Sequence, residues 1–209
     1  MKYTFLLIAV IGMALSLVSC GEEAPKTLYE KMEREALKSG ERNDSLFLGL
    51  YLGMTRTDFF LHCAELNKDS IITGGGGSVE YYLPDALKHS ARMKFYPTFY
   101  EDKITSIPVT FYYDGWAPWN KDFSSTKLRE RLKDELMEWY GGNEFVEIPH
   151  STDTTALVKI DGNRRILLER ESAGVYVIAT FTDLVMEQEL KKLDKKRREE
   201  EAANNENEK

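Results

Sequence analysis

The chain opens with a basic start, Met1-Lys2, and an apolar run from Tyr3 to Val18 broken only by Thr4, Gly12 and Ser16. Gly21-Glu22-Glu23 ends that run before it reaches the roughly 20 apolar residues that a membrane-spanning helix needs. A basic start, an apolar core and small residues ahead of a cut are the pattern of a secretory signal. From Thr27 the period becomes helical. Leu28, Met32 and Ala36 fall on one face, Thr27 and Glu30 are spaced as a capping box, and Gly40 can stop the helix. Leu46, Leu48, Leu50 and Leu52 then alternate with Phe47, Gly49 and Tyr51, which predicts a strand. Thr55 and Asp58 mark a second helix start, with Met54 and Phe59 placed as a hydrophobic staple. Phe59, Phe60, Cys63 and Leu66 form the apolar face of that helix, which ends near Asn67-Lys68.

Period-two alternation follows in Val79, Tyr81 and Leu83, in Ala91, Met93 and Phe95, and in Ile107, Val109, Phe111 and Tyr113. Turns at Pro84-Asp85 and Glu101-Asp102-Lys103 join these runs into an antiparallel meander. Pro108 lies inside the last run and favours an edge strand or a bulge. Asp114 to Asp122 is an aromatic loop, and Ser124 or Ser125 caps a long helix with the stripe Leu128, Leu132, Leu136 and Trp139. Gly141-Gly142 ends it. Strands are expected near Phe145–Ile148 and Ala156–Ile160. Asp161-Gly162-Asn163 is a hairpin turn. The return strand carries Ile166 and Leu168, and a last strand carries Val175, Val177, Ala179 and Phe181. A final helix from Asp183 has Met186, Leu190 and Leu193 on one side. Beyond Ala202 the composition predicts a disordered tail. The order is helix then strands, twice, which points to a degenerate internal duplication. The expected class is α+β, an antiparallel sheet with helices packed on one face.

Leu17-Val18-Ser19-Cys20 is a poor site for ordinary signal cleavage, because Leu17 is large where a small residue is wanted. It resembles the lipobox of bacterial lipoproteins. The resemblance implies that the Cys20 thiol receives a diacylglyceryl group and that the leader is cut before it. It also implies that the new amine is acylated, with chains such as palmitate; two or more chains anchor a protein stably. Aspartate after the cysteine would favour the inner membrane, and Gly21 stands there instead, so the outer membrane of a bacterial cell envelope is the expected location. Glu22-Glu23 resembles the acidic surface-export signals of Bacteroidota lipoproteins, and the chain looks like the uncharacterised lipoproteins of that group. Leu52-Gly53-Met54-Thr55 resembles the helix start of SmpA/OmlA-type outer-membrane assembly lipoproteins and of β-lactamase-inhibitor-like domains. That likeness implies helices on an antiparallel sheet and carries over no binding residue. The expected organisation is a signal peptide over 1–19, a lipidated tether with a short helix over 20–44, an α+β domain over 45–186, and a charged helical extension with a disordered tail over 187–209.

Composition narrows the function classes. Of 209 residues, 42% are hydrophobic, with 10 Phe and 11 Tyr, enough to build a core. The formal net charge is −7 and no basic stripe stands out, so no nucleic-acid partner is expected. The run Lys195 to Arg198 is neutralised by the glutamates after it. With Cys20 acylated, Cys63 has no partner for an intramolecular disulfide, and the fold must rest on packing. Gly74 to Gly77 lacks the Lys-Ser/Thr and the following helix that a phosphate loop needs, and reads as a flexible loop.

His62, His89 and His150 have no metal-ligand spacing. His62 and Cys63 point about 100° apart on a helix, so they read as a surface imidazole and a buried thiol. Arg164-Arg165 beside the hairpin turn offers an anion contact, but alternation puts one arginine on each sheet face, so surface charge is the expectation. No catalytic residue, metal or cofactor is assigned. The candidate binding residues are Trp116 and Trp119, in a Gly/Pro loop. Two exposed tryptophans there make a platform for a sugar or a protein partner; the competing arrangement folds them back over the core. The expected function is a module held at the membrane through Cys20 that binds an envelope protein or glycan. The alternative is an envelope enzyme acting on polymers or small substrates through acidic residues that the sequence does not single out.

Overall fold

The computed structural model describes residues 27–74, 77–84, 86–115, 117, 119–151, 154–171 and 174–207. Contacts divide the chain into a unit Met1–Lys31 and a unit Met32–Lys209. The leader and Cys20 lie outside the described residues. At the start of the description the capping box forms as expected. Thr27 N–H donates to Glu30 Oε2 at 3.1 Å and Glu30 N–H to Thr27 Oγ1 at 3.2 Å. Helix α1, Leu28–Ser39, begins there, and no residue in it is buried. No helix among the described residues is long and apolar enough to cross a membrane.

The described residues of the second unit form one antiparallel sheet, three further α-helices and a short 3-10 helix, Lys121–Phe123. The strands are β1 Ile72–Gly74, β2 Val79–Leu83, β3 Ala91–Phe95, β4 Thr98–Tyr100, β5 Lys103–Tyr113, β6 Val146–Ser151, β7 Thr154–Asp161, β8 Arg164–Arg170 and β9 Val177–Asp183. Their order is β1-β2-β3-β5-β9-β8-β7-β6, with β4 beside the first part of β5. The helices are α2 Arg56–Lys68, α3 Ser125–Tyr140 and α4 Leu184–Asn207. This is the α+β class that the alternation implies, and the helix-then-strands order occurs twice. Helix α2 precedes one meander and α3 the other. The meanders join through their last strands, Ile107 opposite Phe181 and Val109 opposite Ala179.

One face of the sheet is the core. Ile107, Val109 and Phe111 on β5, Met93 on β3, and Ala179 and Phe181 on β9 are fully buried there. Helix α3 sits on this face because its leucines recur every fourth residue. Leu128, Leu132 and Leu136 have no exposed surface. Each such side chain contributes about 1.5–3 kcal/mol by leaving water. Ser124 caps α3, its side chain accepting from Lys127 N–H, and Gly141 closes it. Helix α2 is capped by Thr55 as expected and buries Phe59 against Tyr96 and Phe99, ring centroids 6.1 and 5.8 Å away.

The alternation over Leu46–Leu52 does not become a strand. Leu48 and Gly49 take positive φ, +53° and +76°, and the chain doubles back: Leu46 N–H donates to Leu50 O at 2.9 Å and Leu52 N–H to Asp44 O at 2.8 Å. Phe47 is wedged between Phe95 and Phe181, at 4.9 and 5.4 Å. Leu46, Leu50 and Leu52 are buried with it, so the segment is apolar because it is enclosed, and the period is incidental. Pro108 is likewise not on an edge. It lies opposite Thr180 in the middle of the sheet. On its other side β4 pairs only as far as Ser106 and β3 starts at Val109, so a proline without an N–H falls at a break in the ladder.

Two boundaries also differ. Residues 41–44, expected in the tether, are fastened to the β7–β8 hairpin. Asn43 N–H donates to Asn163 Oδ1 at 2.6 Å, Asn163 Nδ2 to Asp44 Oδ1 at 2.8 Å, and Arg42 bridges Asp44 and Asp183 at 2.7 and 2.9 Å. At the other end, α4 continues past Ala202 to Asn207 where a disordered tail was expected. Lys195–Glu199, Lys196–Glu200 and Arg197–Glu201 pairs, four residues apart, support the turns that lead into that last stretch.

A buried ionic cluster ties the second meander together. Lys159 is fully buried, donates to Gly141 O and to Asn143 O, the latter at 2.5 Å, and lies 2.7 Å from Asp161 Oδ2. Its cation thus ends α3 where the free carbonyls collect. The expected surface charges at the hairpin are not surface charges. Arg164 is 5% exposed, donates to Ser45 O at 2.6 Å and lies 4.2 Å over the Tyr140 ring. Arg165, on the opposite face as the alternation requires, makes a two-pronged contact with Glu187 of α4 at 3.0 Å.

Candidate binding surface

The face of the sheet opposite the core carries a row of large side chains. Strand registers set Tyr82 of β2 opposite Arg92 of β3, and Arg92 opposite Tyr112 of β5. Tyr176, just before β9, continues the row, its ring 5.7 Å from that of Tyr112 and at 84° to it. Tyr82 and Tyr176 are 45% and 41% exposed. The row is held rigidly. Arg92 donates to Glu80 Oε1 at 2.6 Å and to Asp114 Oδ1 at 2.5 Å, and its guanidinium lies 5.7 Å from the Tyr82 ring centre. The Tyr112 hydroxyl donates to Glu80 Oε2 at 2.7 Å. Burial, with help from that bond, pushes the Tyr112 hydroxyl up to about 12, and Tyr112 and Arg92 together hold the Glu80 carboxyl below its ordinary range. Lys94 stands opposite Glu80, so Arg92 and Lys94 balance Glu80 and Asp114 and the row carries no net charge.

Asp114, two residues beyond Tyr112 and bound by Arg92, flanks the middle of the row and begins the loop that carries Trp119. Trp119 is 85% exposed and does not fold back over the core. Trp116 and Pro118 lie outside the described residues. The far end of the loop is braced. Asn120 N–H donates to Ala117 O at 2.9 Å, and Asn120 Oδ1 accepts from Asp122 N–H at 3.2 Å. The Asp122 carboxylate is 2.5 Å from His89 Nε2 and 2.5 Å from an Arg131 nitrogen, and Arg131 also donates to the Tyr113 hydroxyl at 2.7 Å. The His89 bond, then Arg131 and Lys88, hold the Asp122 carboxyl well below the usual range. His89 stacks on Phe123 with centroids 4.3 Å apart.

The remaining candidates are structural. His62 is half-buried, not a surface imidazole, and its Nε2 bonds Leu48 O at 2.7 Å, clamping the Leu48-Gly49 turn. Cys63 is half-buried, and burial pushes its thiol up to about 11, which makes it a poor nucleophile at neutral pH. His150 pairs with Glu169 at 2.5 Å. Among the described residues no three His, Cys, Asp or Glu side chains converge as metal ligands.

A neutral row of tyrosines around a fixed arginine can stack on apolar faces and exchange hydrogen bonds, which suits recognition. Sequence reasoning missed Tyr82, Arg92, Tyr112 and Tyr176. The available signal was tyrosine at outward positions of several strands, where alternation leads one to expect polar residues. Compared with known proteins, the chain matches no family model, no curated protein and no solved structure.

Proposed function

We propose that this chain is an envelope lipoprotein, anchored through Cys20 at the outer membrane, whose α+β domain binds an envelope protein or glycan. The supporting observation is the 85% exposure of Trp119 on a braced loop that leaves the sheet beside Arg92 and Tyr112 of the tyrosine row. Tryptophan and tyrosine give large contact area for little conformational entropy, and a large apolar ring held in water is expected where a partner covers it. The charge balance of the row suits an uncharged or polar surface and not a polyanion. Tethering to a membrane raises local concentration, so a contact of modest affinity suffices.

The test has two arms. A photoreactive amino acid replaces Trp119 in one strain and Lys191, on α4, in another, and adducts are compared after illumination of living cells. A defined adduct from position 119 and none from position 191 supports the surface; identical patterns count against it. Separately, Cys20→Ala is followed by fractionation. Release from the membrane supports the anchor, and persistent membrane association removes it.

A further inference from the structure

A second site lies on the core side of the sheet. An open cleft of about 500 Å³ is lined by segment 43–48, strand β2, the end of α3 and Arg164 of β8. That volume falls in the range of small-molecule sites, about 300–1,000 Å³. Leu46, Phe47, Leu48 and Leu83 supply apolar wall. Tyr140 and Arg164 supply a polar end, and it is incomplete. The Tyr140 hydroxyl and Arg164 Nε are buried without a hydrogen-bond partner among the described residues. Buried donors left unpaired are costly, and a native fold keeps them where something else completes the bond.

The charges around that end balance in number, Arg42, Lys159 and Arg164 against Asp44, Asp161 and Asp183, but are shared unevenly. Asp161 lies 2.7 Å from Lys159 but 3.7 Å from Arg164, so two cations share one carboxylate. The nearby Asp44 and Asp183 are engaged by Arg42, and neither lines the cleft. Arg164 has the loosest of these contacts, 3.7 Å to Asp161, and is 5% exposed and stacked on the Tyr140 ring.

We propose that this cleft binds a small monocarboxylate with an apolar body. The Tyr140 hydroxyl and Arg164 Nε donate to its carboxylate, and Phe47, Leu48, Leu83 and the partly exposed Trp139 pack on its chain or ring. The site is separate from the tyrosine row and does not depend on it.

Calorimetric titration of the full chain with decanoate tests this, with decyltrimethylammonium as the cation of matched length. Saturable one-to-one binding of decanoate, at least tenfold tighter than the cation, is expected. Arg164 also holds Ser45, so its loss can unfold the chain, and Tyr140→Phe is the decisive variant. Its hydroxyl makes no bond among the described residues, so the melting temperature stays or rises while decanoate binding weakens about tenfold. Absent saturation, equal binding of the cation, or unchanged affinity in Tyr140→Phe would each overturn the proposal.

Discussion

Lys159 Nζ lies 2.7 Å from Asp161 Oδ2, two residues along the same strand, and Lys159 has no exposed surface. The two side chains share the core face of β7, where the ammonium also meets the last carbonyls of the α3 terminus. The pair is thus the fastening between helix and hairpin. Removing the cation leaves the buried Asp161 carboxylate with only the more distant Arg164, at 3.7 Å. Lys159→Met is expected to cost about 3–5 kcal/mol in urea unfolding, and adding Asp161→Asn to recover part of it. A Lys159→Met protein as stable as the parent would show that the pair is dispensable.

Gly142 turns the chain out of α3 with φ +74°, and a Cβ there would stand 2.5 Å from Asp161 Oδ1. Gly142→Ala therefore combines backbone strain with displacement of the buried carboxylate. A loss of about 1–3 kcal/mol is expected on thermal unfolding. Gly115→Ala is the control, since nothing lies within 4 Å of its position, and it should stay within about 0.5 kcal/mol of the parent.

Thiol chemistry follows from burial. With Cys63 pushed up to about 11, alkylation by iodoacetamide should be slow at pH 7 and rise steeply only above pH 10. The rate against pH is the measurement. An inflection near the value of a free cysteine would mean that the α2 face opens in solution.

Acid stability should carry the mark of Asp122. Its carboxyl is lowered in the folded state, chiefly by His89 and then by Arg131 and Lys88. The unfolded state therefore takes up the proton first. The contribution is fully present above the unfolded carboxylate value of about 4 and is lost as pH falls through the lower folded value. Asp122→Asn should flatten the acid limb of a melting-temperature profile between pH 5 and pH 2, taken as about that range. A limb of unchanged slope would assign acid sensitivity to other carboxylates.

Local signals were the legible ones. Ser124, Leu128, Leu132, Leu136 and Gly141 delimit α3 as their types require, and Thr55 accepts from Asp58 N–H at 3.1 Å as an N-cap should. Each of these depends on residues within one or two turns. What was not legible depends on partners far along the chain. Leu46–Leu52 reads as a strand until Phe95 and Phe181 are seen to enclose Phe47. Arg164 reads as surface charge until Ser45 and Tyr140 cover it, and Pro108 reads as an edge or a bulge until β3 and β4 are seen to part beside it. Of the candidate surface, the loop and Trp119 were visible in composition. The tyrosine row was not, because it exists only once four strands take their register.

The joining of β5 to β9 also has a bearing on how the chain is made. β5 runs for 11 residues, and the neighbour on one side of it is the last strand of the second meander. A growing or translocating chain therefore finishes the first meander with its longest apolar strand open, and it stays open until residue 183 arrives. A fragment truncated after α3 would keep that edge bare, and the partner best shaped to cover it is β5 of another copy, run antiparallel. Premature termination should then yield strand-paired dimers and aggregates instead of a soluble half.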